Sequence, residues 1–309
     1  MKQFSRRVAR GALAVFLPAV AAVAAWAQAS GGGQPPAKPA DRSPVLVELF
    51  TSEGCPHCPE ADALLERLYA GQSIEGAQII ALEEHVDYWD RQEWVDHYSS
   101  PDFTARQKLY ADAMDLDSLY TPQMVVDGLV EFVGNNESRA RATISALGRS
   151  ALIPVRILPA DSVPGAASAP PRVQVRLEAR DLALSSPASV FLALAEDRLF
   201  SRVTGGSNTG DSWPHSSIAR WFHAVGTLSP KDASFAASVA LDPLPRDGRA
   251  ENMRLIAFVQ EVESRRVVAL GAARLADVIP DVKAAAHPAA ASPTSGAAPK
   301  TAPVSSKSF

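Results

Sequence analysis

The sequence predicts an α/β domain followed by an all-β, sandwich-like domain. Strand-like and helix-like patterns alternate along residues 44–150, whereas residues 151–281 alternate almost throughout with a period of two. The chain has only two cysteines, Cys55 and Cys58, and both fall at the first strand-to-helix junction. These observations indicate two blocks of different architecture, with the reactive side chains in the first.

The two ends of the chain have the composition of segments outside a folded core. A basic stretch, an apolar run at residues 11–26 and small residues beyond it predict a signal peptide over residues 1–29. The run is shorter than the ~20 residues that span a bilayer, so a membrane anchor is the less favoured interpretation. Residues 30–43 predict a flexible leader and residues 282–309 a disordered Ala/Pro/Ser tail. We therefore expect a periplasmic or secreted protein, exported by a Sec or Tat route.

Composition argues against nucleic-acid binding and against a membrane span in the mature chain. The 309-residue chain has a net charge of −4, and no basic cluster follows the signal peptide, so nucleic-acid binding is not expected. Apolar residues make up 47% of the chain, which is ordinary for a globular protein. No second apolar run is long enough to cross a membrane, so we expect no membrane span after signal cleavage.

In the first block the predicted elements follow the order β-α-β-α-β-β-α. Residues 45–50 are almost continuously apolar, as in a strand buried on both faces. Pro59 fits the first turn of the next helix, which Gly71 ends. Asp127-Gly128, between two β-branched runs, indicates a hairpin. The remaining elements are strands at 78–82, 123–126 and 129–133 and helices at 103–114 and 136–147.

The second block reads as seven strands joined by turns, a number that fits a two-sheet sandwich. They are predicted near residues 152–158, 172–179, 188–195, 219–228, 235–241, 253–262 and 266–270.

The cysteine pair is better suited to electron exchange than to stabilising a fold, because a disulfide that spans only two intervening residues constrains little of the unfolded chain. A helix N-terminus stabilises a thiolate, and His57 adds an imidazole beside it. We assign Cys55 as the nucleophile, expected to be the more exposed sulfur, and Cys58 as the resolving thiol. Glu48, in the preceding strand, is a candidate proton acceptor for Cys58; the alternative is a glutamate that faces solvent.

Two other assignments of the cysteines stay open. The pair could be a structural disulfide that merely closes a turn. It could also bind copper or zinc together with a histidine, although two sulfurs need further ligands. We predict no cofactor and no resident metal.

Two further segments are expected beside the cysteines. Thr121-Pro122 precedes a strand, where Pro122 is an ordinary trans proline on sequence grounds alone, or a cis proline that would let Thr121 pair with an extended substrate. His85 and Trp89 follow the second strand and are candidates for a groove wall that contacts substrate; an amphipathic loop covering the sheet is the alternative.

These residues resemble the thioredoxin superfamily: a strand, Cys55-Pro56-His57-Cys58, a helix, and Thr121-Pro122 before a hairpin. The quartet is similar to that of the DsbA-type periplasmic oxidases. The resemblance implies a thioredoxin-like first domain, with Pro122 in cis against the disulfide. It also supports a buried acid at Glu48.

A closer resemblance covers about residues 44–278, to a secreted bacterial family catalogued as domain of unknown function twelve twenty-three, a thioredoxin-like group. In the first block it is carried by residues 49–55, 85–90, 99–110 and 120–128. In the second block the similar residues are Gly206, Asn208, Gly210, His215 and Arg220, with Ser207 where the family usually has Glu.

The predicted function is thiol–disulfide exchange with protein thiols or disulfides and an unidentified redox partner. The rival interpretations are a non-catalytic binding module with a structural disulfide and a copper- or zinc-handling protein.

Overall fold

The computed structural model describes residues 42–160, 170–178, 182–232, 234–279 and 282. The predicted signal peptide, and nearly all of the predicted leader and tail, lie outside these residues. Within the described part of the chain, no helix combines the length and the hydropathy needed to span a bilayer.

The first block contains the predicted elements in the predicted order. A proline occupies the first turn of both α1 and α2, where its missing N–H costs nothing. The second strand runs three residues further than predicted, to His85, so that Glu83, Glu84 and His85 all belong to it. The elements are β1 Ser43–Thr51, α1 Cys58–Gly71, β2 Ala77–His85, α2 Pro101–Ala113, β3 Gln123–Val126, β4 Val130–Val133 and α3 Glu137–Leu147.

Strand β1 lies at the centre of this block. It pairs in parallel with β2 and antiparallel with β3, and β3 forms a hairpin with β4. Both turn residues of the hairpin, Asp127 and Gly128, have positive φ angles of 48° and 67°, which explains the Asp-Gly pair at this position.

Both faces of β1 are covered by apolar side chains. Val47 and Leu49 pack with α1 and α3. Leu46 and Phe50 point to the opposite face, where Phe103 and Tyr110 of α2 pack. We call these the α1 face and the α2 face of the sheet. Side chains alternate along a strand, so the position number alone decides which face a residue joins.

The described residues of the second block form ten strands and a final helical turn. All seven predicted strands are present, whereas the hairpin of β9 and β10 was not predicted. The elements are β5 Ile153–Pro154, β6 Arg156–Pro159, β7 Arg172–Glu178, β8 Ala188–Glu196, β9 Leu199–Arg202, β10 Ser212–His215, β11 Ile218–Leu228, β12 Ser234–Ala240, β13 Met253–Glu261, β14 Val267–Arg274 and α4 Leu275–Val278.

One nine-stranded sheet runs through both blocks, in the order β4-β3-β1-β2-β11-β8-β13-β14-β5. The link between the blocks is a parallel contact of β2 with β11, in which the Glu83 N–H donates to the Ser217 carbonyl (2.9 Å). A second sheet, β12-β7-β6, packs on the far half through a large apolar cluster that includes Val175, Leu192 and Leu255. The structure is thus a sheet-dominated α/β fold, as far as the predicted architecture is confirmed. The division into a thioredoxin-like domain and an all-β sandwich-like domain, with its boundary at residues 150/151, stays a prediction.

Candidate functional site

The two cysteines form a disulfide in the turn between β1 and α1. Helix α1 begins at Cys58, one residue before the predicted start, and the Cys58 N–H donates to the Cys55 carbonyl (3.2 Å). Cys55 thus lies just outside a helix N-terminus, where free N–H groups favour a negative charge. Pro56 and His57 are exposed at the tip of the turn.

Cys55 is not the more exposed sulfur: both cysteines are 0% exposed. The loop that connects β9 and β10, residues 203–211, lies against the cysteine turn. Its Asn208 side chain donates to the carbonyls of Glu53 (2.8 Å) and Cys55 (2.9 Å). The loop approaches the first block closely, since a Cβ atom on Gly205 would lie 1.9 Å from the Glu93 carbonyl oxygen. The unpredicted hairpin thus holds residues 203–211 against the cysteine turn, and we call this loop the cover.

Trp89 lies beside the turn and is hydrogen-bonded to Thr121, which precedes Pro122. The Thr121–Pro122 peptide bond is cis, as the resemblance implied. The Trp89 indole donates to Thr121 Oγ1 (2.6 Å), and a Cβ atom on Gly54 would lie 3.1 Å from the Trp89 carbonyl oxygen. The structure thus brings Trp89 and Thr121 together next to the cysteine turn, where both are half-buried.

His85 does not contribute to a groove wall. It is fully buried on β2, and its Nδ1 lies 2.7 Å from Asp96 Oδ2. Asp87, two residues further along the chain, accepts a hydrogen bond from Thr104. The expectation of substrate contact at His85 is corrected for a physical reason: the strand extends through residue 85 and turns this ring inward.

Glu48 is buried, so it does not face solvent, but it lies on the α2 face, opposite Cys58 and α1. Arg106 Nε donates to its carboxylate (2.7 Å), and the Tyr110 hydroxyl donates at 2.5 Å. Gln260 of β13 contacts both Arg106 and Tyr110. We call these four residues the arginine cluster. Glu48 is therefore committed to an ion pair rather than placed for proton exchange with Cys58.

Asp62 is the buried acid on the side of the cysteines, and the sequence analysis did not find it. It accepts hydrogen bonds from Thr51 Oγ1 (2.6 Å) and the Trp213 indole (3.1 Å). Burial, with help from the charge of Glu83, raises its pKa to about 7. A sequence signal existed, since Asp62 follows Cys58 by four positions and so lies on the same helix face.

A chain of buried polar groups starts and ends at Glu53, two residues before Cys55. The Glu53 N–H donates to Asp96 Oδ2 (2.7 Å), which also holds His85. At the other end Ser201 Oγ bonds the Glu53 carboxylate and lies 2.9 Å from His215 Nε2.

Glu83 closes the chain, with its Oε1 2.6 Å from His215 Nδ1 and 3.4 Å from His85 Nε2. We call Glu53, Asp96, His85, Glu83, His215 and Ser201 the histidine network. It joins the cysteine turn, β2 and the β9–β10 hairpin.

The histidine network contains oppositely charged pairs. Burial lowers the pKa of His85, but Asp96 and Glu83 outweigh it and raise the pKa well above its ordinary value. Burial raises the pKa of Glu83, yet His215 and His85 bring it down to about 2. His215 likewise has a raised pKa because Glu83 outweighs burial. Such pairs tolerate burial because each charge has a partner.

Fold and site together define a sheet-dominated α/β protein with a Cys-x-x-Cys disulfide at a strand-to-helix junction. Residues 46–260 match the family described as "Protein of unknown function (DUF1223)". The chain belongs to this family.

A match to a thioredoxin agrees with the resemblance seen in the sequence, and two solved structures have a similar fold. Over 92 residues the chain is 30% identical to a thioredoxin of Methanocaldococcus jannaschii, covering 30% of this chain and 81% of that protein. The fold is similar to that of protein AGR_C_4864 from Agrobacterium tumefaciens (TM-score 0.54, 24% identity, 74% of this chain and 92% of the other). It is also similar to HBP35 of Porphyromonas gingivalis (TM-score 0.54, 13% identity, 85% and 80%). The relation to thioredoxin supports a redox role for the cysteine pair.

Proposed function

We propose that this protein is an exported thiol–disulfide oxidoreductase with a thioredoxin-like first domain and a sandwich-like second domain. The observation that carries the proposal is the Cys55–Cys58 disulfide at the N-terminus of α1, beside Trp89 and Thr121. The similarity to a thioredoxin supports the same chemistry. Export rests on the sequence of residues 1–29.

In the oxidising direction, a substrate thiolate attacks Cys55 Sγ, and the Cys55–Cys58 bond breaks. Cys58 leaves as a thiolate and takes up a proton, for which Asp62, one helical turn further on, is the nearest candidate donor on that helix face. A second substrate thiolate then attacks the substrate sulfur and releases Cys55 as a thiolate, which the helix N-terminus stabilises. The substrate loses two electrons and the cysteine pair gains them; a disulfide-bearing partner reoxidises the pair.

The reaction requires the cover at residues 203–211 to open, because neither sulfur is exposed. Asn208 fastens it with two hydrogen bonds, and each contributes about 0.5–1.5 kcal/mol net. Opening at this cost is thermally accessible, and a binding substrate can offset it. Trp89 and Thr121 then provide the surface against which an extended chain lies.

The same burial favours one rival, a binding module whose disulfide is purely structural. Reduction potential separates the two functions. A structural disulfide has a potential below about −300 mV, whereas an exchanging pair lies above it.

The first prediction tests the nucleophile. In an assay that couples insulin reduction to a dithiol, Cys55→Ala should abolish the reduction, because the attacking sulfur at the helix N-terminus is lost. The matched variant Cys58→Ala keeps the nucleophile, so it should accumulate a mixed disulfide with substrate through Cys55, visible by mass spectrometry. Full insulin reduction by folded Cys55→Ala would refute the proposed function.

A further inference from the structure

We propose that Glu83, His85 and His215 bind one divalent metal ion of the zinc class. One ligand atom from each residue lies within 4.8 Å of the other two, and all three side chains are buried. Two imidazoles and one carboxylate are the donor types found in zinc sites with three protein ligands, where solvent takes the fourth position. This site is separate from the cysteines, which the sequence analysis considered as metal ligands.

His85 has a ring nitrogen without a hydrogen-bond partner among the described residues. This nitrogen, Nε2, is buried. It lies 3.4 Å from Glu83 Oε1, on the same face of β2. Two ligand atoms about 2.0–2.1 Å from a tetrahedral ion lie about 3.3–3.4 Å apart. This pair already has the separation that a shared ion requires.

The ring nitrogen of each histidine that points away from Glu83 has a hydrogen-bond partner. Asp96 Oδ2 lies 2.7 Å from His85 Nδ1, and Ser201 Oγ lies 2.9 Å from His215 Nε2. Metal-bound histidines almost always have the other ring nitrogen held in this way, often by a carboxylate. The rings are thereby fixed with Nε2 of His85 and Nδ1 of His215 directed at Glu83.

One distance must change when the ion binds. His215 Nδ1 lies 2.6 Å from Glu83 Oε1 and shares a proton with it. The ion takes the place of that proton, and the two atoms move apart by several tenths of an ångström. Two ligands lie on β2 and the third on β10, so the ion would tie the hairpin that covers the cysteine turn to the sheet.

Zinc binding to the oxidised, full-length mature protein tests the site. The protein is unfolded, refolded with or without zinc sulfate and dialysed, and bound metal is measured by mass spectrometry and by calorimetric titration. We expect one zinc ion per chain. The Cys55→Ser/Cys58→Ser double variant should bind equally well, which separates this site from the cysteines and from the proposed redox function.

Ligand variants sharpen the test. His215→Ala should weaken zinc binding by at least about 100-fold. Asp96→Asn, which changes the outer partner of His85 and also the acceptor of the Glu53 and Tyr98 N–H groups, should weaken it by about 10-fold. The matched control His223→Ala, at an exposed histidine, should bind normally. If His215→Ala does not fold, Glu83→Gln decides the point, because glutamine keeps the shape and loses the charge.

Three results would overturn the proposal. They are no saturable zinc binding by the folded wild type, full binding by His215→Ala or Glu83→Gln, and loss of binding in the cysteine double variant.

Discussion

The two faces of the sheet around β1 and β2 carry two buried polar networks that differ in chemistry. On the α2 face, the arginine cluster is organised by Arg106, whose guanidinium also lies 4.4 Å from the centre of the Phe222 ring. On the α1 face, the histidine network is organised by His85 and His215, with Ser201 and Glu53 leading to the cysteine turn.

The difference indicates which face stabilises the fold and which face carries groups that exchange protons or bind metal ions. An arginine stays charged in proteins, and Arg106 pairs on this face with Glu48 and also lies 3.4 Å from the buried carboxylate of Glu84. Imidazoles and carboxylates exchange protons and bind metal ions near neutral pH. We therefore infer that the α2 face stabilises the joined blocks, whereas the α1 face serves the disulfide and its cover.

The largest expected effect comes from breaking the arginine cluster. Arg106→Met should cost about 3–5 kcal/mol of unfolding free energy, because it leaves Glu48 buried without its cation. Urea unfolding measures this, with Arg91→Met as the control, since Arg91 is exposed and bonds only nearby carbonyls. Adding Glu48→Gln should recover part of the loss. A change in the reduction rate of the folded disulfide would contradict the assignment of this face to stability.

A pH-dependent effect on the free energy of unfolding is expected at Asp127, a buried carboxyl group in the hairpin turn. Burial, with the charge of Glu48 adding to it, raises the pKa of Asp127 to about 7, although the Leu46 N–H donates to its carboxylate. The folded state thus holds this proton more tightly than the unfolded state, whose pKa is near 3.8. The stabilisation is complete below that value and is lost as the pH rises through about 7.

Asp127→Asn removes this titration, because asparagine keeps the acceptor oxygen and tolerates the positive φ. The variant should exceed the wild type by up to a few kcal/mol at pH 8 and match it near pH 4, as measured by urea unfolding at both values. Asp112→Asn, at an exposed ion pair, is the control and should change little at either pH. Equal stability of Asp127→Asn and wild type at pH 8 would contradict the raised pKa.

A substitution in the cover should have the smallest effect on stability and a clear effect on the rate of disulfide reduction. Asn208→Ala should cost about 1–2 kcal/mol and accelerate reduction of the Cys55–Cys58 disulfide by dithiothreitol several-fold, because the loop loses both bonds to the turn. Ser207→Ala, at the exposed neighbouring position, should leave the rate unchanged. An unchanged rate in Asn208→Ala would mean that this loop does not control access.

Sequence reasoning located the cysteine turn and most elements, because these depend on local patterns. It could not orient Glu48, since residues 45–50 are apolar on both faces and offer no alternation to follow. It missed the β9–β10 hairpin because strands of four residues around a polar, Gly-containing loop give no periodic signal. His85 was misplaced because its partner His215 is 130 positions away, and only the folded chain brings the two rings together.

The contact of β2 with β11 has a consequence for anyone who divides this chain. A fragment that stops near residue 150 would lose the pairing of Glu83 with β11 and leave this edge of β2 without its partner strand. It would also lose Asn208, Ser201 and His215, and with them the lining of its own reactive centre. The surroundings of the disulfide are therefore built by both blocks of the chain.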